Sequence, residues 1–419
     1  MAGRESVNKQ TRNGTARRCG VVMGGALGAF VAAAAMATGS AAPARADFEE
    51  LLDPIIQPLL TSVTDSLSGF DPTVGADLTS WTDSLLSSLN SVDLALPSAA
   101  EPATASAASV VQAPTTADIP ITMDESTEPT VQASIDGSPD QTLLVDTGSS
   151  GLVVPISDLD SGSNEFAELL ALGLPTGISE SGYSGGVDYI YLTYNNLPVD
   201  YDLGGGSTLD TTAPVEVEVY SWDPNDLSSL FSNDAFQNFL AGNDSPGGIL
   251  GIGDNVSGGA GESPIEAAGY TGVEVDEPGG LLIASDSNPG TPYADLPSTG
   301  STPTGDLTET ITSGPDGTGT VIDPGGSVSD DLDSAGVYGT IPSSIAPNGV
   351  PDGDWVTVTD PTTNDVLYSY QVENSSLADN PPTVVTGNSI DSGYEAFQGN
   401  PVYIDYDNET LYFDGTPPS

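Results

Sequence analysis

Leu143-Leu144-Val145-Asp146-Thr147-Gly148-Ser149-Ser150-Gly151-Leu152-Val153-Val154-Pro155 reads as an apolar strand ending in an aspartate, a tight loop of small residues and a second apolar strand. An aspartate held on a loop between two buried strands is restrained and partly desolvated, which suits its carboxyl to proton transfer. Thr147 and Ser149 carry hydroxyls that can hold that carboxyl or brace the loop. Asp and Gly also build ordinary hairpin turns, so one such loop decides little by itself.

A second copy decides it. Leu332-Asp333-Ser334-Ala335-Gly336-Val337-Tyr338-Gly339-Thr340-Ile341-Pro342 repeats the layout 187 residues later. In both copies a proline falls nine positions after the aspartate (Pro155, Pro342), and an Ile-Asp pair begins eleven positions before it (Ile135-Asp136, Ile322-Asp323). Each is followed by apolar residues running into glycine: Gly248-Ile249-Leu250-Gly251-Ile252-Gly253, and Val384-Val385-Thr386-Gly387. This is an internal duplication with one aspartate per half. Two like halves face to face bring the carboxyls together at a pseudo-two-fold axis, where they share a proton and titrate as a unit. A water between them can lose a proton to one while the other protonates a carbonyl. A rival second motif, Asp391-Ser392-Gly393, has the glycine but lacks both the apolar strand after it and the proline at the ninth position. Asp333 is the better partner for Asp146.

Charge narrows the chemistry further. All six Lys and Arg residues and the single cysteine, Cys19, lie in the first 45 positions; there is no histidine, and 59 of the 60 acidic residues follow Arg45. A Ser-His-Asp triad, a Cys-His dyad, a Schiff-base lysine, a His/Cys zinc site and an arginine phosphate clamp are all excluded beyond that point. Such a polyanion has no electrostatic attraction for nucleic acid. Crowded carboxyls predict better stability in mild acid than in alkali. Asp- and Asn-rich turns at 223–226, 352–354 and 405–408 match no calcium loop and read as solvated turns, so no metal and no cofactor are expected.

The two aspartate loops, with Gly247–Gly253, resemble the lobes of pepsin-type aspartic proteases. The similarity is closer to the aspartic protease domain attached to mycobacterial PE and PE-PGRS proteins, in which a closing stretch like Gly399-Asn400-Pro401-Val402-Tyr403-Ile404-Asp405 also recurs. The resemblance covers 119–413. It implies an all-β, bilobal, pepsin-like fold with pseudo-two-fold related lobes of the six-stranded type and a cleft between them. It also implies cofactor-free peptide-bond hydrolysis and a β-hairpin flap, expected at Gly182–Tyr194 with Tyr183 or Tyr189 as the flap tyrosine. Asp146 and Asp333 are the expected catalytic pair, on loops formed by Thr147, Gly148, Ser149, Ser334 and Ala335. Ala335 stands where the family has glycine, and the preceding Ser329-Asp330-Asp331-Leu332 is polar. A methyl group there can shift the carboxyl, which is the ground for the alternative of a weak or inactive pepsin-like surface protein that binds peptides or partner proteins.

Residues 1–46 read as an export signal: a basic head, an apolar Gly20–Gly39 run and an Ala44-Arg45-Ala46 cleavage site. Apolar positions at helical spacing follow in 47–97, then an Ala/Ser/Pro/Thr linker at 98–118 and the β domain at 119–419. The expectation is a secreted or cell-envelope endopeptidase acting on exported or cell-surface proteins, with no stable membrane span after signal cleavage.

Overall fold

The computed structural model describes residues 115–418 apart from short stretches, of which 160–168, 254–261, 313–319 and 323–328 are the longest. The expected signal and the 47–97 helical segment lie outside the described residues. Strand β1 (Thr116–Pro120) begins within the stretch expected to be linker, so the last three residues of 98–118 already pair in a sheet. Among the described residues no helix is long and apolar enough to cross a membrane.

The fold is almost wholly β. The first half contains β2 (Thr122–Asp124), β3 (Glu128–Ile135), β4 (Gln141–Asp146), β5 (Ser150–Pro155), β6 (Gly177–Tyr183), β7 (Val187–Asp202), β8 (Thr208–Trp222) and β9 (Gly248–Ile252). They form an eight-stranded sheet in the order β2-β3-β4-β9-β5-β8-β7-β6, with β3 also pairing β7. A helix, α1 (Ala235–Gly242), lies between β8 and β9 in the chain, and α2 (Pro264–Ala267) follows β9. Next come β10 (Gly272–Asp276), β11 (Leu281–Ser285), β12 (Pro292–Thr299) and β13 (Thr302–Pro303).

The second half contains β14 (Thr308–Thr312), β15 (Thr320–Ile322), β16 (Ser329–Asp331), β17 (Thr340–Pro342), β18 (Trp355–Thr359), β19 (Val366–Gln371), β20 (Thr383–Val385) and β21 (Ser389–Asp391). After α3 (Glu395–Gln398) the chain closes with β22 (Val402–Asp405) and β23 (Thr410–Asp414). Among the described residues the second half makes two four-stranded sheets, β15-β14-β18-β19 and β16-β21-β17-β20. A seven-stranded sheet, β1-β11-β10-β22-β23-β12-β13, joins the first and last strands of the fold and ties the halves together. The all-β, bilobal architecture is the expected one, and among the described residues its halves differ in size: long strands of 16 and 15 residues enlarge the first, and the second pairs in smaller sheets.

The duplication is nonetheless written in the topology. In the first half the order β4-β9-β5-β8 has β9 parallel to β4 and antiparallel to β5, with β8 parallel to β5. In the second half β16-β21-β17-β20 has the same pattern of directions. The crossing strand equivalent to β9 is thus β21, not the Val384-Val385-Thr386-Gly387 segment expected; Val384 and Val385 lie in β20, the counterpart of β8. Burial explains the composition of the first half: every residue of β5 and β9 is buried, and strands covered on both faces carry continuous apolar runs. Leu143, Leu152 and Ile249 are almost wholly removed from water, each stabilising the fold by roughly 2–3 kcal/mol.

Candidate active site

Asp146 ends β4 where β9 runs alongside, with Asp146 opposite Gly251 in the register. Gly251 is required by that close approach, since a Cβ there would lie 2.8 Å from Ser149 and from the Gly151 carbonyl. The Asp146 side chain is only 6% exposed. The Gly148 amide donates to its Oδ1 at 2.8 Å, and the Ser149 hydroxyl to its Oδ2 at 2.5 Å. Across the pseudo-axis the Ala335 amide donates to Asp333 Oδ1 at 2.9 Å, the same bond one lobe over. The two aspartates meet: their side chains hydrogen-bond each other. A Cβ on Gly148 would sit 2.8 Å from Asp333 Cγ, so only glycine lets the second carboxyl come this close.

Hydroxyls one position after each aspartate lock the loops together. The Thr147 amide donates to Ser334 Oγ (3.1 Å) and the Ser334 amide donates to Thr147 Oγ1 (2.9 Å). The Ser334 hydroxyl donates to the Val145 carbonyl at 2.7 Å, and the Thr147 hydroxyl donates to the Leu332 carbonyl. Thr147 and Ser334 are both fully buried. Removing either hydroxyl strands a buried amide and a buried carbonyl on the opposite loop. Ser334→Ala is expected to lower unfolding stability by about 2–4 kcal/mol, read as the midpoint of denaturant unfolding; an unchanged midpoint would mean the lattice carries no net stability.

Protonation follows from burial. Desolvation raises the Asp146 pKa, while the bonds from Ser149, Asp333 and the Gly148 and Ser149 amides pull it down. Two carboxyls in direct contact hold a proton between them, because ionising both in a dry site is costly.

The second loop departs from the first beyond its third residue. Turns at 333–336 and 336–339 follow Asp333, and β17 has three residues against the six of β5. Val337 sits at φ 53°, a strained conformation for a β-branched residue. Ala335 keeps its amide bond to Asp333 and packs against the apolar cluster that includes Leu144, Tyr189 and Phe236. Asp391 lies on the crossing strand, its Oδ1 accepting from the Gly393 amide at 2.9 Å and lying against Gly336, where an added Cβ would be 2.5 Å away. The halves thus solve one packing problem in opposite ways. Ser149 faces Gly251 in the first, and Gly336 faces Asp391 in the second. Ser392 meanwhile accepts from the Asp333 amide at 3.2 Å.

The expected flap hairpin is formed by β6 and β7, pairing from Gly177↔Thr193 to Tyr183↔Val187, with a connecting turn outside the described residues. Tyr183 and Tyr189 divide the roles offered to them. Tyr189 is buried at 2% exposure, whereas Tyr183 is half-buried and stacks on it at 5.8 Å and 14°. The Tyr183 pKa is pushed up by burial, then by Tyr189 and then by the Asp146 charge, which places its hydroxyl within the field of that aspartate. Sequence reasoning missed Glu216. Val215-Glu216-Val217-Glu218-Val219 reads as a strand with one wet face, yet Glu216 is 1% exposed because the hairpin covers it. Among the described residues no group of three or more acidic side chains is arranged to hold a metal ion.

Comparison with known proteins places the sequence among described relatives. The profile of the PE-PGRS C-terminal aspartyl peptidase-like domain matches residues 117–412. PE cleavage protein A of Mycobacterium tuberculosis (strain ATCC 25618 / H37Rv) is 35% identical over 303 residues, covering 69% of this chain and 49% of that protein. PE cleavage protein A of Mycobacterium marinum (strain ATCC BAA-535 / M) is 34% identical over 300 residues, covering 69% and 50%. The chain spans about half the length of these relatives. Among solved structures, the aspartic proteinase from Irpex lacteus aligns with a TM-score of 0.44 and 14% identity, over 72% of this chain and 97% of that one.

Proposed function

We propose, since this chain belongs to the PE-PGRS C-terminal aspartyl peptidase-like family, that it is an aspartic endopeptidase with Asp146 and Asp333 as its catalytic pair. The observation carrying this reading is the direct carboxyl–carboxyl contact, framed by matching amide bonds from Gly148 and Ala335. With one proton on the pair, the ionised carboxyl takes a proton from a water and the water oxygen attacks the peptide carbon. The protonated carboxyl gives its proton to the carbonyl oxygen. Collapse of the tetrahedral intermediate breaks the C–N bond: the first carboxyl passes the proton taken from water to the leaving amine, while one hydroxyl of the intermediate returns its proton to the other carboxyl and restores the pair. No cofactor enters. An extended substrate under the β6–β7 hairpin, with Tyr183 as the flap tyrosine, would pair its backbone with the flanking strands. In a chain without cations after Arg45 the pockets favour apolar or basic side chains over acidic ones. Substrates are protein chains, exported or on the cell surface, and the chain itself is exported to the cell envelope or beyond. The binding-only alternative drew on Ala335, and the intact amide bond there favours hydrolysis.

The chain should cleave an unfolded protein in mild acid and be blocked by a statine-type transition-state mimic. Retention of peptides without cutting would return the reading to a binding protein. Two substitutions sharpen the assignment. Gly148→Ala drives a methyl into Asp333 and is expected to cut kcat by at least about a hundredfold, whereas Asp391→Asn is expected to stay within about threefold of the parent. Loss of cleavage in Asp391→Asn with cleavage retained in Asp333→Asn would exchange their roles.

A further inference from the structure

Glu216 sits in β8, between Val153 of β5 and Thr193 of β7 in the register. Strand alternation sends Val215 and Val217 into the main core and Glu216 to the opposite face, beneath the hairpin. There the Tyr183 ring stacks on that of Tyr189 at 5.8 Å and 14°, and the Tyr189 hydroxyl donates to Glu216 Oε2 at 3.4 Å. Tyr191 hydrogen-bonds the same carboxyl. Rings complete the enclosure: Tyr183 lies 5.4 Å from Phe239 and 6.4 Å from Phe236, both on α1.

We propose that Glu216 is a positioning residue for substrate engagement: through Tyr189 it holds Tyr183 beside Asp146 and so keeps the hairpin clasped over the catalytic pair. This rests on the reading of the hairpin as the cover of a peptidase cleft. Among the described residues the titratable groups beside Glu216 are Tyr183 from β6, Tyr189 and Tyr191 from β7, and Glu218 two residues along β8; the cluster on this face adds apolar residues of α1 and Val153 of β5. None is a cation, and the chain has none after Arg45. A neutral acid can accept from one tyrosine and donate to another, while a carboxylate there is a buried charge with no counterion. Burial pushes the Glu216 pKa up to about 8, against the pull of Tyr191 and Tyr189. The clasp therefore holds in acid and slackens as pH rises through that value.

The test is hydrogen exchange in the β6–β7 hairpin of the whole chain from about pH 5 to 9, with β18–β19 as internal reference, beside peptide cleavage near pH 5. In the parent, hairpin protection should fall at least about tenfold across this range relative to the reference. Glu216→Gln, which can still accept and donate, should keep its protection at both ends and cleave within about threefold of the parent. Glu216→Leu should lose protection already at the acid end, with kcat/KM down about tenfold. Protection that falls in Glu216→Gln as it does in the parent, or that survives in Glu216→Leu, overturns the proposal. If Glu216→Leu fails to fold, the comparison of Glu216→Gln with the parent decides alone. A parent that cuts nothing would sink the peptidase reading, while exchange still judges the clasp.

Discussion

Asp146→Asn and Asp333→Asn each abolish peptide cleavage, with an expected loss of at least about a thousandfold in kcat, and the double variant is no worse than either single one. The reason is the shared proton. Neither carboxyl can be base and acid in the same turnover without its partner, so removing one removes the function of both. The substitutions are close to isosteric, and each asparagine can still accept the amide of Gly148 or Ala335, so folding should persist. Both variants should also unfold no more readily than the parent at neutral pH, because an amide needs no proton to be buried. A single variant retaining more than a tenth of parental kcat would remove that residue from the pair.

Unfolding stability is expected to fall as pH rises from about 5 to 9. Burial raises Glu216 to about 8; burial and then the neighbouring Asp414 raise Glu274 to about 8; burial raises Glu277 to about 8 against a bond from Tyr394. Glu274 Oε2 and Asp414 Oδ2 are buried without a donor, so this pair too holds a proton between its members. For a carboxyl with a raised native pKa, the folded chain binds more protons than the unfolded one. Its contribution is full below the unfolded value of about 4.5 and is lost as pH rises through about 8. For Glu216, which is almost wholly buried, the loss is on the order of 4 kcal/mol, and a net formal charge of −54 adds general repulsion. Thermal unfolding across this range should lose roughly 10 °C or more, and Glu216→Gln should flatten part of the slope. A Tm that climbs with pH would show these groups to be ionised in the fold.

Much of this was legible because the first aspartate loop is extreme in composition. Apolar strands on both sides of Asp146-Thr147-Gly148 leave few other folds open, and the spacing to Pro155 and Pro342 revealed the repeat. The second half was harder to read for a physical reason. Its crossing strand, Ser389–Asp391, meets the same close approach with glycine on the other side of the contact, at Gly336, so no apolar pair running into glycine marks it. Val384-Val385, which looked like that signal, lies in a neighbouring strand. The hydroxyls of Thr147 and Ser149 were recognisable as braces, but the Ser334 hydroxyl was not, because the bonds it exchanges with Thr147 across the axis exist only once the halves meet. Glu216 was invisible for a similar reason: alternation identifies a strand face, and a distant hairpin decides whether that face is wet.

The pH dependence of kcat/KM for a fluorogenic peptide, from about pH 3 to 8, tests the central claim most directly. A proton shared by Asp146 and Asp333 predicts a bell, with two apparent pKa values belonging to the pair and a maximum on the acid side of neutrality. Cleavage that rises steadily into alkaline solution, or folded protein that cuts at no pH, would contradict it.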